Sequence, residues 1–155
     1  MGRYEEFPRH RIEMRSYQQR GHDLTPEDCW ILDRAVAPYE HEEFPCLVAD
    51  IQRARQQGRP VILMMGAHPI KLGLSRYIID MMRRGLITHV ATNGAGIIHD
   101  FELSLGAGTS ENVPRWIQAG QFGLWQETSK LNDVIAAGAF RSEGLGEAVG
   151  RYIVE

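Results

Sequence analysis

Two short runs of apolar residues frame the clearest pattern in the chain. Residues 61–65 are continuously apolar, which predicts a strand covered on both faces, as in parallel sheets. A second, β-branched run over residues 87–92 predicts another strand, and the spacing between the two predicts a helix from Ser75, as its N-cap, to Arg84. Strand, helix and strand in this order form a βαβ unit with a right-handed crossover. The pattern therefore predicts an α/β fold built on a parallel sheet.

The N-terminal part of the chain carries a weaker pattern. Residues 1–24 are rich in Arg, Glu and Gln and show little periodicity, so they are interpreted as an extended or loosely docked arm. Thr25-Pro26 is typical of a helix start, and the amphipathic helix that it predicts ends at Pro38. A further helix with an apolar stripe is predicted over residues 44–58, where a glycine stops it.

The C-terminal part is predicted to be helical after Gly106. A short helix follows Pro114, a longer one has apolar residues at helical spacing over residues 124–135, and a third is capped by Ser142. We expect residues 25–155 to form a single α/β domain with extra helices at both ends.

The predicted sheet is small. Doubly wound sheets usually have five or six strands, and only two are convincing here. The sequence also stops at Glu155 within an amphipathic pattern. We therefore expect an incomplete sheet: either the chain is the N-terminal part of a larger fold, or another chain completes the sheet.

The composition narrows the class of protein. The 155 residues are 43% hydrophobic with a formal net charge of −3, so neither nucleic acid nor an anionic membrane is expected as the main partner. No apolar run approaches the ~20 residues that a membrane-spanning helix needs. The two cysteines lie far apart, and His10, His22 and His41 have no partners at ligand spacing, so no metal site is expected. A cytoplasmic location is the expectation.

The second predicted strand ends in a turn of small residues, Asn93-Gly-Ala-Gly96, and a helix follows. This geometry allows backbone N–H groups at a helix N-terminus to face a phosphate. The alternative is a tight turn without a ligand, and the chain lacks the spaced G-x-G-x-x-G motif. Asn93 offers its amide to a ligand or closes an Asx turn. We favour ligand binding because the turn joins a buried strand to a helix.

Polar residues flank this turn in the sequence. His68 and Lys71 lie in the loop after the first predicted strand, where parallel sheets form their ligand crevice, although surface loop residues are an equal alternative. Lys71 could contact a phosphate. His99, Asp100 and Glu102 follow the turn, and Asp100 could orient His99 as a general base, or a carboxylate could hold a ribose hydroxyl. Acidic residues near a helix start are also favoured by the dipole alone.

The stretch from Gly73 to Asp100 resembles the deoxyhypusine synthase family. That family has a strand ending in Thr-Thr-Ala-Gly-Gly-Val-Glu-Glu-Asp. The corresponding ungapped run here is Thr92-Asn-Gly-Ala-Gly-Ile-Ile-His-Asp100, preceded by Gly73-Leu-Ser-Arg-Tyr-Ile-Ile and Gly85-Leu-Ile-Thr-His-Val. The similarity is clearest over residues 60–105. It implies a Rossmann-like sheet, NAD as cofactor, a tetrameric assembly, and transfer of an aminobutyl group from spermidine to a protein lysine.

The resemblance also implies roles for individual residues. The positions that it places along NAD are Thr92, Asn93, Gly94, Ala95 and Gly96, with His68 and Lys71 as polar cofactor contacts in the preceding loop. Asp100 matches the Asp of the family. The paired glutamates before that Asp are Ile98 and His99 here, so an acidic pocket for a polyamine loses its charge. No segment of this chain matches the family's catalytic lysine segment.

Three hypotheses follow. The chain is the NAD-binding portion of a deoxyhypusine synthase-like protein, which acts as a homo-oligomer, a tetramer or a dimer. Alternatively, it is a non-catalytic assembly or binding module of the same fold. A sirtuin-like NAD-dependent deacylase ranks last: Gly94-Ala-Gly-Ile97 resembles the turn of that family, but no Ser follows Ile97 and no Pro-Asp-Phe-Arg stretch occurs.

Overall fold

A computed structural model describes Glu6 and residues 8–155 of the chain, and these residues adopt a mixed α/β fold. They contain seven α-helices and two separate two-stranded sheets. The helices are α1 Phe44–Gln56, α2 His68–Lys71, α3 Ser75–Arg83, α4 Gly94–Ser104, α5 Val113–Gln118, α6 Gln126–Phe140 and α7 Leu145–Val154. The strands are β1 His22–Leu24, β2 Ile62–Met64, β3 His89–Ala91 and β4 Thr109–Glu111.

The parallel pair of the predicted βαβ unit is present. β2 and β3 run parallel, with Leu63 opposite Val90, and α2 and α3 connect them. The prediction that the strand over residues 61–65 is covered on both faces is wrong, since Ile62 is 57% exposed and Met64 is 80% exposed. Successive strand residues point to opposite faces, and only the face that carries Leu63 and Val90 is partly buried. The observed sheet has two strands and is smaller than the Rossmann-like sheet expected.

The loop predicted before the crossover helix contains α2, and this shifts the start of α3. Gly73, at φ 81°, ends α2, and the N–H of Leu74 donates to the carbonyl of Pro69 at 2.8 Å. This closing turn makes Leu74 the N-cap of α3, so Ser75 is its first residue. The prediction of Ser75 as the N-cap is therefore wrong. Its hydroxyl is buried and has no hydrogen-bond partner among the described residues.

The antiparallel pair was not predicted. β1 pairs with β4, with His22 opposite Glu111 and Leu24 opposite Thr109. β4 therefore interrupts the region after Gly106 that was predicted to be helical throughout. Its three residues, Thr-Ser-Glu, carry no alternation of apolar and polar residues. The strand forms nevertheless, because each of its polar side chains finds a hydrogen-bond partner: Glu102 for Thr109, Asp23 for Ser110 and Trp125 for Glu111.

The segment before β1 packs firmly against the body, unlike the loosely docked arm expected for residues 1–24. Tyr17 is buried beside Trp116 and Trp125. The carboxylate of Glu127 accepts hydrogen bonds from the Ser16 hydroxyl at 2.6 Å and the Tyr17 N–H at 2.7 Å. The first part of the predicted arm, residues 1–5 and 7, lies outside the described residues.

The helix predicted from Thr25 to Pro38 is a single 3₁₀ turn, Pro26–Asp28. The capping interaction forms, since the Asp28 carboxylate accepts from the Thr25 N–H and hydroxyl. Beyond it the chain becomes extended, and the Trp30 N–H donates to the Gly73 carbonyl at 3.0 Å instead of continuing a helix. A tertiary contact has overridden the local helix signal.

The helix predicted over residues 44–58 is α1. The helix ends at Gln56, and Gln57 separates it from Gly58, which has φ 63°. Its predicted apolar stripe does not face a core, because Leu47 and Val48 are exposed. No residue of α1 is buried.

The C-terminal helices α5, α6 and α7 match the three predicted helices in order. α6 and α7 pack on α4, and the main apolar core is formed by Phe101, Leu131, Val134 and Val149. The predicted cap is wrong, because Ser142 has φ 59° in the turn before α7, whose N-cap is Gly144. Among the described residues, no helix has the length and apolar character to cross a membrane.

Candidate ligand-binding site

A cavity of about 370 Å³ lies beside α4 and β4. Lys71 of α2 and Ala95 and His99 of α4 line it, so three of the residues predicted from the sequence share one space. Arg20 and Glu102 line its inner wall. We call this space the His99 cavity. Its size is within the range of small-molecule sites, about 300–1,000 Å³.

The inner wall of the His99 cavity is a buried ion pair. The Arg20 guanidinium donates to both oxygens of the Glu102 carboxylate at 2.9 Å each. The Thr109 and Thr128 hydroxyls also donate to this carboxylate, each at 2.6 Å. Burial raises the pKa of Glu102, but these hydrogen bonds and the Arg20 charge outweigh burial and hold the pKa below its ordinary value. Glu102 is therefore a carboxylate at neutral pH.

His99 is connected to this carboxylate through a hydroxyl. Its Nδ1 lies 2.8 Å from the Thr109 hydroxyl oxygen. Burial lowers the pKa of His99, the nearby Glu102 carboxylate raises it, and the positive charge of Lys71 lowers it further, leaving it below the ordinary value. The ring is thus neutral at pH 7 and able to accept a proton.

The structure does not bring Asp100 to His99. Consecutive helix residues point about 100° apart. Asp100 therefore lines a second cavity, of about 300 Å³, together with Thr92 and Gly96. The surrounding apolar side chains desolvate the Asp100 carboxyl and raise its pKa. Thr109 and Glu102 occupy the orienting position that the sequence suggested for Asp100.

The N-terminus of α4 is open to a ligand at the first two residues of the helix, Gly94 and Ala95. Asn93 is the N-cap, and its side-chain oxygen accepts the Gly96 N–H at 3.1 Å, so its amide closes the turn. The N–H groups of Gly94 and Ala95 make no hydrogen bond to any residue that the structure describes. A Cβ built on Gly94 would meet no atom within 4 Å, so space is free beside the main chain.

Gly96 is required for a different reason. It is buried, and a Cβ there would collide with the side chain of Thr92. The glycine lets α4 start directly against the end of β3. The missing side chain of Gly94 therefore leaves space for a ligand, whereas the missing side chain of Gly96 leaves space for the side chain of Thr92.

His68 and Lys71 occupy the two ends of α2, which packs against α4. Lys71 lines the His99 cavity. His68 does not line it, but it lies close enough to lower the pKa of His99 electrostatically. Of the two residues predicted in this loop, Lys71 therefore shares the cavity with His99, and His68 affects His99 only through its charge.

Sequence reasoning missed Arg20, Thr109 and Thr128 as members of this site. Arg20 lies in the segment that was interpreted as an arm, and Thr109 lies in β4, the strand that was not predicted. The one available signal was Glu102, an acidic residue between the apolar residues Phe101 and Leu103. A buried carboxylate needs partners, but the sequence does not indicate which residues supply them.

Within the described part of the chain, no group of three or more His, Cys, Asp or Glu side chains is arranged to hold a metal ion. Comparison of the chain with models of known families, with curated proteins and with solved structures finds no match.

Proposed function

We propose that this chain binds NAD at the start of α4 and in the adjoining His99 cavity, as the NAD-binding portion of a deoxyhypusine synthase-like protein. The observation that carries the proposal is the pair of N–H groups at Gly94 and Ala95, which have no hydrogen-bond partner in the described part of the chain and lie on the same helix that presents His99 to the cavity. The βαβ unit formed by β2, α2, α3 and β3 would then be part of a Rossmann-like sheet.

Electrostatics favour an anionic ligand part at this position. The N-terminus of α4 carries the positive end of the helix dipole, and its free N–H groups are donors for phosphate oxygens. It follows β3 directly, at the carboxyl end of a parallel strand, where open α/β sheets bind nucleotides. Lys71 adds a positive charge on the side of the cavity. A pyrophosphate at the turn would leave the rest of the dinucleotide to enter the cavity.

The polar groups of the cavity suit the sugar part of such a ligand. His99 and Ser110 offer a ring nitrogen and a hydroxyl at the cavity wall. In the proposed NAD-dependent reaction, His99 is the candidate general base. The aminobutyl transfer implied by the resemblance additionally needs a lysine nucleophile. We propose that this lysine comes from outside the matched residues.

Titration calorimetry with NAD and NADH tests the proposal. Gly94→Val should weaken binding by at least about ten-fold, because its branched side chain fills the space beside the free N–H groups. Gly144→Val is the matched control, since Gly144 precedes α7 and also has no atom within 4 Å of a built Cβ. Absence of NAD binding by the wild-type chain, or equal binding by the two variants, would overturn the proposal.

A second variant separates the contribution of charge. Lys71→Gln should weaken NAD binding and reduce its dependence on salt concentration, because one positive charge is lost near the diphosphate. Adenosine should bind Lys71→Gln and wild type equally, since it carries no phosphate. Equal losses for both ligands would assign Lys71 to the shape of the cavity rather than to phosphate.

A non-catalytic assembly module is the second candidate function. The exposed apolar side chains of Ile62 and Met64 on β2, and of Leu47 and Val48 on α1, favour it. Homo-oligomerisation, as a dimer or tetramer, is part of both proposals. Sedimentation velocity and NAD titration on one sample distinguish them: oligomers without NAD affinity would support the assembly module.

A further inference from the structure

The hydrogen bonds around Thr109 determine which nitrogen of His99 carries the proton. A threonine hydroxyl has one proton to donate. Thr109 lies 2.6 Å from the Glu102 carboxylate, which can only accept, so the hydroxyl proton points to Glu102. The same hydroxyl oxygen lies 2.8 Å from Nδ1 of His99 and must accept there. Nδ1 is therefore the protonated nitrogen of the neutral ring.

We propose that Glu102 and Thr109 are positioning residues that hold His99 in the Nδ1–H form and present its unprotonated Nε2 to the ligand. Resting on the proposed function, the inference adds a substrate feature: a hydroxyl group that donates a hydrogen bond to Nε2. In NAD such a group would be a ribose hydroxyl. An Nε2–H ring in this place would offer a donor and would select a different ligand group.

Two further observations support this proton order, and the electrostatics of the ring agree with it. Arg20 and Thr128 also donate to Glu102, which leaves the carboxylate no role other than acceptor. Nε2 of His99 makes no hydrogen bond to any described residue, and the ring lines the cavity beside Lys71. The ring is kept neutral by burial and by the positive charges of Lys71 and Arg20, which together outweigh Glu102.

Nitrogen NMR of the ¹⁵N-labelled full chain reads the tautomer directly. In wild type at neutral pH, Nδ1 of His99 should have a protonated, pyrrole-like shift and Nε2 an unprotonated, pyridine-like shift. His41, whose side chain is exposed, serves as an internal reference in the same spectrum. A wild-type His99 with its proton on Nε2 would overturn the proposal, whatever the variants do.

Variants at the two hydroxyls separate positioning from stability. Thr109→Val removes the acceptor for Nδ1–H and should shift His99 toward the Nε2–H form, whereas Thr109→Ser should restore the wild-type shifts. Thr128→Val is the matched control, because Thr128 donates to the same carboxylate, whereas the Nδ1 of His99 is hydrogen-bonded to Thr109. Unchanged shifts in folded Thr109→Val, or an equal change in Thr128→Val, would contradict the proposal. If Thr109→Val does not fold, the wild-type and Thr109→Ser spectra decide.

The outcome is independent of whether NAD is the ligand. Loss of NAD binding alone contradicts the proposed function, while the tautomer is measured without any ligand. Where NAD does bind, Thr109→Val should weaken it more than Thr109→Ser, because only the serine keeps Nε2 as an acceptor. Equal weakening by both variants would remove the ligand role of Nε2.

Discussion

Arg20 and Glu102 are 82 residues apart in sequence and form a bidentate pair in which both N···O distances are 2.9 Å. Their side chains are only 2% and 3% exposed. The pair links the segment before β1 to the middle of α4, and the Thr109 and Thr128 hydroxyls complete the coordination of the carboxylate. A buried polar cluster thus joins the segment before β1, the strand β4 and the helix α6 to the middle of α4.

The first prediction concerns the stability of this pair. Arg20→Met should lower the free energy of unfolding by about 3–5 kcal/mol, because the Glu102 carboxylate would remain buried without its main partner. Urea denaturation measures the change. Asp50→Asn is the control, since it breaks the exposed Arg53–Asp50 pair of α1 and should cost less than about 1 kcal/mol. Similar losses in the two variants would show that the buried pair is not a structural link.

The second prediction contrasts two candidate helix caps. The Ser75 hydroxyl is buried without a partner among the described residues, so Ser75→Ala should leave stability unchanged or raise it by about 1 kcal/mol. Asn112 is a true N-cap, whose side-chain oxygen accepts the Arg115 N–H at 3.0 Å. Asn112→Ala should cost about 1 kcal/mol. Thermal melts of both variants give the comparison, and a loss for Ser75→Ala would restore the cap role predicted from sequence.

The βαβ unit shows which features the sequence predicts correctly, and the helix start at Ser75 shows one that it does not. The continuous apolar run of residues 61–65 and the β-branched run before Asn93 predicted β2, β3 and their parallel pairing. Periodicity carries this information because the strands must bury at least one face. The exact helix start at Ser75 depends on how the preceding α2 ends, which no residue pattern specifies.

The candidate site was predictable only in that βαβ unit and in α4, the helix that directly follows it. Lys71, Ala95 and His99 follow from the rule that ligands bind at the carboxyl ends of parallel strands. Arg20, from the segment before β1, and Thr128 of α6 line the same cavity. Thr109 of β4 contacts His99 and Glu102 behind it. Polar residues that are buried by pairing leave no hydrophobic period in the sequence, so a single chain gives no signal for them.

The third prediction concerns the contact between α6 and α7. A Cβ on Gly138 would collide with the Cβ of Ala148, so Gly138→Ala should destabilise the protein by about 1–3 kcal/mol despite its better helix propensity. Adding Ala148→Gly should recover part of the loss. Gly150→Ala is the matched control in α7, where a Cβ meets no atom within 4 Å, and it should stabilise by about 0.5–1 kcal/mol. Equal effects of the two alanines would contradict close helix packing at Gly138.

The fourth prediction follows from two histidines that are harder to protonate in the folded chain. Burial and the adjacent Arg20 lower the pKa of His22, and burial and Lys71 contribute to the lowered pKa of His99. Between these lowered values and the ordinary pKa of about 6.5, the unfolded chain binds more protons than the folded one. The contribution of these two histidines to stability is therefore fully present above about pH 6.5 and is lost as the pH drops below it.

Urea denaturation between about pH 7.5 and pH 5.5 measures this dependence. The wild-type free energy of unfolding should decrease toward pH 5.5, by well under 1.4 kcal/mol per pH unit for each histidine, because solvent screens both partly exposed rings. His99→Gln should flatten the slope, since glutamine does not titrate. His41→Gln, at an exposed position, should keep the wild-type slope. Asp100, whose pKa burial raises, changes stability in the opposite direction and is present in both wild type and His99→Gln, so the comparison between them is decisive. Equal slopes for wild type and His99→Gln would mean that the surroundings of His99 do not hold its ring neutral.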